Sequence, residues 1–253
     1  MNKLIFFDTE TTGNTEKDYL CQIAYKIYPA TGGTGDPRHS GASESFVGFY
    51  KPPIKIPPEA SAVHHITNKM LEKEISFKGS PDQEKIKNLF EDTNSVVIAH
   101  NAQFDLVMLN KEGVKPEKFI CTLRLARFLD PEGKIERYNL QYLRYFLDLD
   151  VQATAHDALG DVLVLEKLFD RLKKKLSEIE KIESEENIIN RMIEISSHPS
   201  IFKYINFGKH SGKELEQIAK TDKNYLEWLL KQKEESDQID EDWIYTLKHY
   251  LSR

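Results

Sequence analysis

The first apolar run is short and dense: Leu4-Ile-Phe-Phe7, stopped by Asp8. Such a run bounded by polar residues reads as a buried strand. Tyr19–Tyr28 and Glu44–Tyr50 are further apolar, aromatic-rich runs, expected as strands two and three. Between them, Pro29–Ala42 is rich in Gly, Thr, Ser and Pro and reads as a long hairpin loop. Three strands with no helix between them begin a sheet antiparallel, because parallel neighbours need a crossover. Lys51–Ser61 holds four prolines and is expected to have no regular structure.

Beyond this point the pattern alternates. Thr67–Glu74 and Pro81–Glu91 read as helices, Ser95–His100 as a buried strand and Ala102–Lys111 as a helix. Phe119–Leu123 reads as a strand and Asn139–Leu147 as a helix. Asp157–Leu176 places apolar residues at 159, 162, 163, 165, 168, 169 and 172, a helical period. A meander followed by alternating helix and strand predicts an α/β fold with a mixed sheet. Arg171–Glu186 is charged and lacks Gly and Pro, which suits a solvated continuation of that helix or a helical linker. From Ile201 a second unit is expected, with helices around Lys213–Thr221, Asn224–Gln232 and Asp242–Leu251. The expected division is a domain over 1–175, a helical linker over 176–200 and a small, mostly helical module over 201–253.

Composition narrows the class. With 253 residues, 40% apolar and 30% charged, the chain suits one domain of about 180 residues plus an appendage. No apolar run approaches the roughly 18–20 residues that span a bilayer. The N-terminus meets Asp8 before an h-region or cleavage site can form, so no signal peptide is expected. Cys21 and Cys121 sit in apolar stretches far from any metal-type spacing, and reduced thiols in a cytoplasmic protein without a membrane partner are expected. The net charge of −6 argues against a simple basic nucleic-acid binder. Divalent cations held by acidic ligands can, however, supply the positive charge that a phosphate needs. The charge is also uneven: residues 1–170 carry 20 basic and 25 acidic side chains, and 203–233 carry 7 and 4.

Candidate chemistry starts with Asp8 and Glu10. Residues i and i+2 of a strand share a face, so the two carboxylates converge. Two close carboxylates repel unless a cation lies between them, and hard oxygen ligands suit Mg²⁺ or Mn²⁺. On its own the pair is equally readable as a polar strand end. Asp105 follows the Ser95–His100 strand in His100-Asn-Ala-Gln-Phe-Asp105. Asp161 falls on the apolar stripe of the long helix with Leu165 and Leu168, where a carboxylate needs a compensating partner. Asp157 is better read as a helix cap. His156, on the loop entering that helix, is either a surface histidine or a general base whose pKa near 6.5 suits taking a proton from water.

Taken together and in order, Phe7-Asp8-Thr-Glu10-Thr-Thr-Gly13, Asn101-x-x-Phe-Asp105 and His156-x-x-x-x-Asp161 resemble the DEDDh branch of 3′→5′ exonucleases. That family includes the proofreading epsilon subunit of bacterial DNA polymerase III. The resemblance covers about residues 1–172 and implies a ribonuclease H-like fold, with a mixed five-stranded sheet flanked by helices. It further implies two Mg²⁺ or Mn²⁺ ions on Asp8, Glu10, Asp105 and Asp161, with Glu10 and His156 as catalytic groups. In that scheme one ion activates a water that His156 deprotonates, and the other stabilises the leaving 3′-oxygen. Thr9, Thr11 and Asn101 match positions that contact the terminal sugar and phosphate. Ala62-Val-His64-His65-Ile-Thr67 resembles a segment whose His, here His64, lies near the terminal nucleotide, with His65 where the family has Gly. Phe104 is readable as core or as a base-stacking face.

The C-terminal unit contains Gly208-Lys-His-Ser-Gly212-Lys213-Glu214. Three residues between the glycines and Glu after Lys exclude a P-loop. The segment resembles a module found after the nuclease domain in exonuclease X-like proteins. Tyr225, Trp228 and Leu229 read as its core, and Lys209, His210 and Lys213 as phosphate contacts or a solvated loop. The expected activity is release of nucleotides from DNA 3′ ends, from single strands or duplexes. RNA 3′-end trimming is the alternative substrate, and an inert nucleic-acid-binding scaffold the alternative class. A polymerase or a second copy of the chain is a conceivable partner.

Overall fold

The computed structural model describes residues 3–29, 44–151, 158–236 and 240–252. The strand β1 (Lys3–Thr11) is central: antiparallel to β2 (Leu20–Pro29) and parallel to β4 (Ser95–Ala99). β3 (Glu44–Phe49) pairs antiparallel outside β2, and β5 (Phe119–Cys121) pairs parallel outside β4. The result is a mixed sheet in the order β3-β2-β1-β4-β5, the five-stranded architecture that the motifs imply. β1 continues through Thr11, so Asp8 and Glu10 lie within the strand and not at its end.

Alternation along β1 builds two layers. Leu4 and Phe6 point into a core shared with Val162, Leu165 and Phe169 of the long helix α6 (Ala158–Glu180). Phe6 meets the Phe169 ring edge-on at 5.1 Å. Ile5 and Phe7 point the other way, against Ile86 and Phe90 of α2 (Pro81–Phe90) and Ala102 and Leu109 of α3 (Ala102–Lys111). Each buried aliphatic or aromatic side chain on these faces contributes about 1.5–3 kcal/mol.

Several local expectations are corrected. Part of the proline-rich stretch is helical, because α1 (Pro58–His64) starts with Pro58 in its first turn, where the missing N–H costs nothing. Thr67–Glu74 makes successive turns and no helix, because Leu71 is its buried anchor beside an exposed Met70 and it offers no apolar stripe. The strand at Phe119 ends at Cys121, and Thr122 opens α4 (Thr122–Phe128), which buries Leu125 and Ala126. α5 (Leu140–Phe146) is capped by Asn139, whose side chain accepts from Tyr142 N–H at 2.8 Å.

Residues 181–200 do more than link. α7 (Glu185–Ser197) sends Ile188, Ile189 and Met192 into the same core as β1 and α6, and Ser196 Oγ accepts from Cys121 N–H at 2.8 Å. Its acidic residues Glu185, Glu186 and Glu194 lie exposed.

The C-terminal unit pairs β6 (Tyr204–Ile205) with β7 (Lys213–Glu214) and packs α8 (Leu215–Thr221), α9 (Lys223–Glu234) and α10 (Glu241–Leu251) around Ile205, Leu226, Leu229 and Trp243. Leu229 is buried and Tyr225 packs at the edge of this core, but Trp228 is 55% exposed and does not join it. A buried ionic latch holds the unit to α4. Arg124 donates from Nε to Asp242 at 3.1 Å and from Nη1 to the Ser196 carbonyl at 2.8 Å, and Arg127 also donates to Asp242. Asp242 and Arg124 are each only 4% exposed.

Candidate metal-binding active site

The two faces of β1 sort the candidate carboxylates. Asp8 and Glu10 continue the even-numbered face of Leu4 and Phe6, the face covered by α6. Asp161 sits in the first turn of α6 and meets them there: the three side chains each offer an oxygen within 4.8 Å of the others. Asp161 is buried, while Asp8 and Glu10 are partly exposed. Three carboxylates at this spacing repel, and a divalent cation among them removes the repulsion. The donor set is all carboxylate, without imidazole or thiolate, which fits a hard ion that prefers oxygen.

Asp105 comes from α3, whose Ala102 and Leu109 pack on the opposite face with Ile5 and Phe7. Its carboxylate accepts a hydrogen bond from Thr9 Oγ1, on the odd-numbered side of β1, at 2.6 Å. It is therefore outside the three-carboxylate group within 4.8 Å. Burial pushes its carboxyl up to about 7, against the pull of the Thr9 hydroxyl. Thr9, expected at the substrate, thus ties the strand to the helix that carries Asp105.

Thr11 donates to the Gly13 carbonyl, and the turn after it is held by Asp18, which accepts from Thr12 Oγ1 at 2.9 Å and Thr15 N–H at 2.9 Å. His64 is buried at the end of α1 with both ring nitrogens on backbone: Nδ1 accepts from Ile66 N–H at 3.0 Å, and Nε2 lies 3.1 Å from the Thr11 carbonyl. This arrangement braces the end of β1. His65 has φ +62°, the left-handed conformation in which Gly is easiest. The local turn is thus the one a Gly would make, at a cost of about 1–2 kcal/mol for a side chain.

Asn101 also has φ +62°, at the junction of β4 and α3, with its side chain exposed. Asn is among the residues that tolerate this region best. The preceding His100 is pinned, with Nδ1 2.9 Å from Thr122 Oγ1 and Nε2 2.7 Å from the Tyr138 carbonyl. Phe104 is half-buried on the wall of a cleft of about 1000 Å³ between α3 and the C-terminal unit. Asn101, Arg137, Asn139, Asn206 and Lys233 also line it.

His156 lies outside the described residues. Lys209 and His210, read as phosphate contacts, both reach Asp222, at 2.7 and 2.8 Å, and hold its carboxyl down at about 2. Lys213 is exposed on β7. One contact the motifs did not flag is Gln141 of α5, whose Nε2 donates to Asp161 Oδ1. Its signal is faint: a polar residue two positions after the Asn139 cap.

Cys21 and Cys121 are buried and free, and among the described residues no helix is long and apolar enough to cross a membrane. Comparison with known proteins covers both units. An exonuclease family model matches residues 5–169, and an exodeoxyribonuclease X-like C-terminal model matches residues 205–234. The chain is 30% identical over 207 residues to exodeoxyribonuclease 10 of Escherichia coli (strain K12), covering 79% of this chain and 82% of that protein. It is 31% identical over 172 residues to DNA polymerase III subunit epsilon of Treponema pallidum (strain Nichols), covering 64% of this chain and 73% of that one. Among solved structures, exonuclease X in complex with 5′ overhanging duplex DNA matches with a TM-score of 0.55 at 24% identity, over 76% of this chain and 99% of that one. E. coli exonuclease I in complex with a dT13 oligonucleotide matches with a TM-score of 0.56 at 17% identity, over 76% and 46%. These structures share the fold.

Proposed function

The chain belongs to the exonuclease family, and we propose that it is a divalent-metal-dependent 3′→5′ exodeoxyribonuclease releasing nucleoside monophosphates. The observation that carries the reading is the approach of Asp8, Glu10 and Asp161 to within 4.8 Å. With Mg²⁺ or Mn²⁺ bound, such a site offsets the negative charge that builds on a phosphodiester during hydrolysis.

Around that chemistry the chain's own groups divide the work. Asp8, Glu10 and Asp161 hold the cation, and Asp105, delivered from the opposite face by α3, completes the set for a second ion. His156 takes the proton of the attacking water. Asn101, exposed at a sharp turn beside the cleft, hydrogen-bonds the terminal nucleotide, and Phe104 offers it an apolar wall. His64 and Thr11 act together by fixing the end of β1. The cleft between α3 and the C-terminal unit is the path of the nucleic acid. Lys213 is the better phosphate contact of its segment, since Lys209 and His210 are engaged by Asp222.

The test uses 5′-labelled single-stranded DNA, blunt duplex and RNA with Mg²⁺. Nucleotides should be released one at a time from the DNA 3′ end. Asp8→Ala should lower the rate by about a thousandfold or more, the effect of several kcal/mol lost at a metal site. Full activity in that variant would sink the assignment, and faster attack on RNA would move the substrate class.

A further inference from the structure

Helix α5 turns one side toward the carboxylate site and another toward solvent. Gln141 donates to Asp161, and Leu143 is the buried anchor of the helix. Tyr145 and Phe146 are 74% and 50% exposed. Phe146 is stacked on Tyr142, with centroids 5.8 Å apart and planes 16° from parallel. The Arg144 guanidinium lies 5.3 Å from the centre of the Tyr145 ring. Single exposed apolar residues are ordinary, but three adjacent aromatic rings on seven helical residues form a patch.

Helical geometry relates this patch to the site. At about 100° per residue, Tyr145 lies roughly 40° around the axis from Gln141. Tyr142 and Phe146 follow at roughly 100° and 140°, so the three rings fill the arc between Gln141 and the buried Leu143 at roughly 200°. With a rise of about 1.5 Å per residue, Tyr145 and Phe146 stand roughly 6 and 7.5 Å along the axis from Gln141. That is about two stacked bases at roughly 3.4 Å each. Long helical side chains also lean toward the N-terminus, here toward the end that carries Gln141.

We propose that Tyr142, Tyr145 and Phe146 form a stacking platform for unpaired bases of the DNA strand near its 3′ end, with Arg144 supplying positive charge beside it. The proposal rests on the exonuclease reading and names how the strand is gripped at that same site. Rings stack on any base, so the grip tolerates sequence, as an enzyme consuming whatever strand it meets requires. It favours unpaired over paired ends, because a base inside a duplex already spends both its faces. Arg144 suits the same occupant, since a cation beside aromatic rings meets the phosphates between stacked bases.

The experiment compares the wild-type protein with Tyr145→Ala/Phe146→Ala on 5′-labelled oligothymidylate with Mg²⁺. A second substrate carries abasic residues at the second and third positions from its 3′ end. The double variant should raise KM on the order of tenfold on the intact strand, with a smaller change in kcat. The abasic strand should cost the wild type a similar factor and cost the variant nothing further. Tyr145→Phe/Phe146→Tyr should restore the wild-type KM. An unchanged KM overturns the proposal, and so does an equal penalty on intact and abasic strands. Loss of self-association in the double variant with no change in KM assigns the patch to a second copy and overturns it too. A wild-type protein that releases no nucleotide fails the exonuclease reading as well, whereas an active wild type with ring-independent KM fails the platform alone.

Discussion

Two groups of buried or half-buried acids in this molecule are built on opposite principles. At the latch, Asp242 lies between Arg124 and Arg127 and also accepts the Ser200 N–H at 3.0 Å. Glu166, deep in α6, is likewise met by Lys26 at 3.0 Å and Tyr28 at 2.8 Å. On the even-numbered face of β1, three carboxylates are instead brought within 4.8 Å of one another. The first arrangement neutralises its own charge and holds the fold together. The second gathers like charge, which weakens the fold until something positive is added. A protein that settles its buried acids elsewhere and concentrates them here marks the place where a cation works.

The widest separation between the two principles comes from unfolding measurements. Asp242→Ala removes the buried carboxylate that Arg124 and Arg127 share, leaving Arg124 with Glu241 and the Ser196 carbonyl, and should cost about 3–5 kcal/mol in urea unfolding. Asp8→Asn, measured without metal, should leave stability unchanged or raise it slightly. A destabilisation of Asp8→Asn as large as that of Asp242→Ala would erase the distinction. The same argument explains why deleting the C-terminal unit is a poor probe of substrate grip: removing α10 would uncover Arg124 and Arg127.

Metal addition should act on one group only. If the carboxylate site binds Mg²⁺, a concentration about a hundredfold above its Kd should stabilise the wild-type protein by about 2.7 kcal/mol. Calorimetry should show that gain vanish in Asp8→Ala and persist in Lys209→Ala.

The junction between the two regions titrates. Burial pushes the His100 imidazole down to about 4 from its ordinary 6.5, and its two ring nitrogens are engaged by Thr122 and the Tyr138 carbonyl. The unfolded chain therefore takes up the proton first as pH falls. The stabilising contribution is full above about pH 6.5 and is lost between 6.5 and 4, amounting to about 3 kcal/mol at most. Urea unfolding at pH 7 and 4.5 should show this loss, and His100→Gln should flatten that part of the profile. The smallest effect is expected at Lys213, where Ala should weaken DNA binding less than tenfold and lower the salt slope by about one.

Much of the site is legible in the chain because its geometry is local. Asp8 and Glu10 share a face by the two-residue period of a strand. Asp161 was expected on the inward stripe of its helix by the helical period, and it lies there, buried. The alternation of apolar runs also suffices to predict the mixed sheet. Trp228 shows the limit of the same logic. It stands three residues after Tyr225, which packs at the edge of the core, yet it is 55% exposed, because helical period sorts residues into faces without saying how far the covered face extends.

What the sequence determined by itself is therefore periodic: strands, the long helix, and the order in which the acids arrive. What only the tertiary structure decided is which acids meet. β1 carries Thr9 on one face and Asp8 and Glu10 on the other, so Asp105, arriving on α3, is held by Thr9 while Asp161, arriving on α6, joins the three carboxylates within 4.8 Å. The pairing of Arg124 with Asp242, 118 residues apart, and the reach of Gln141 to Asp161 were equally beyond any local pattern. Periodicity sets the direction in which a side chain points. The partner it finds there depends on how distant elements pack.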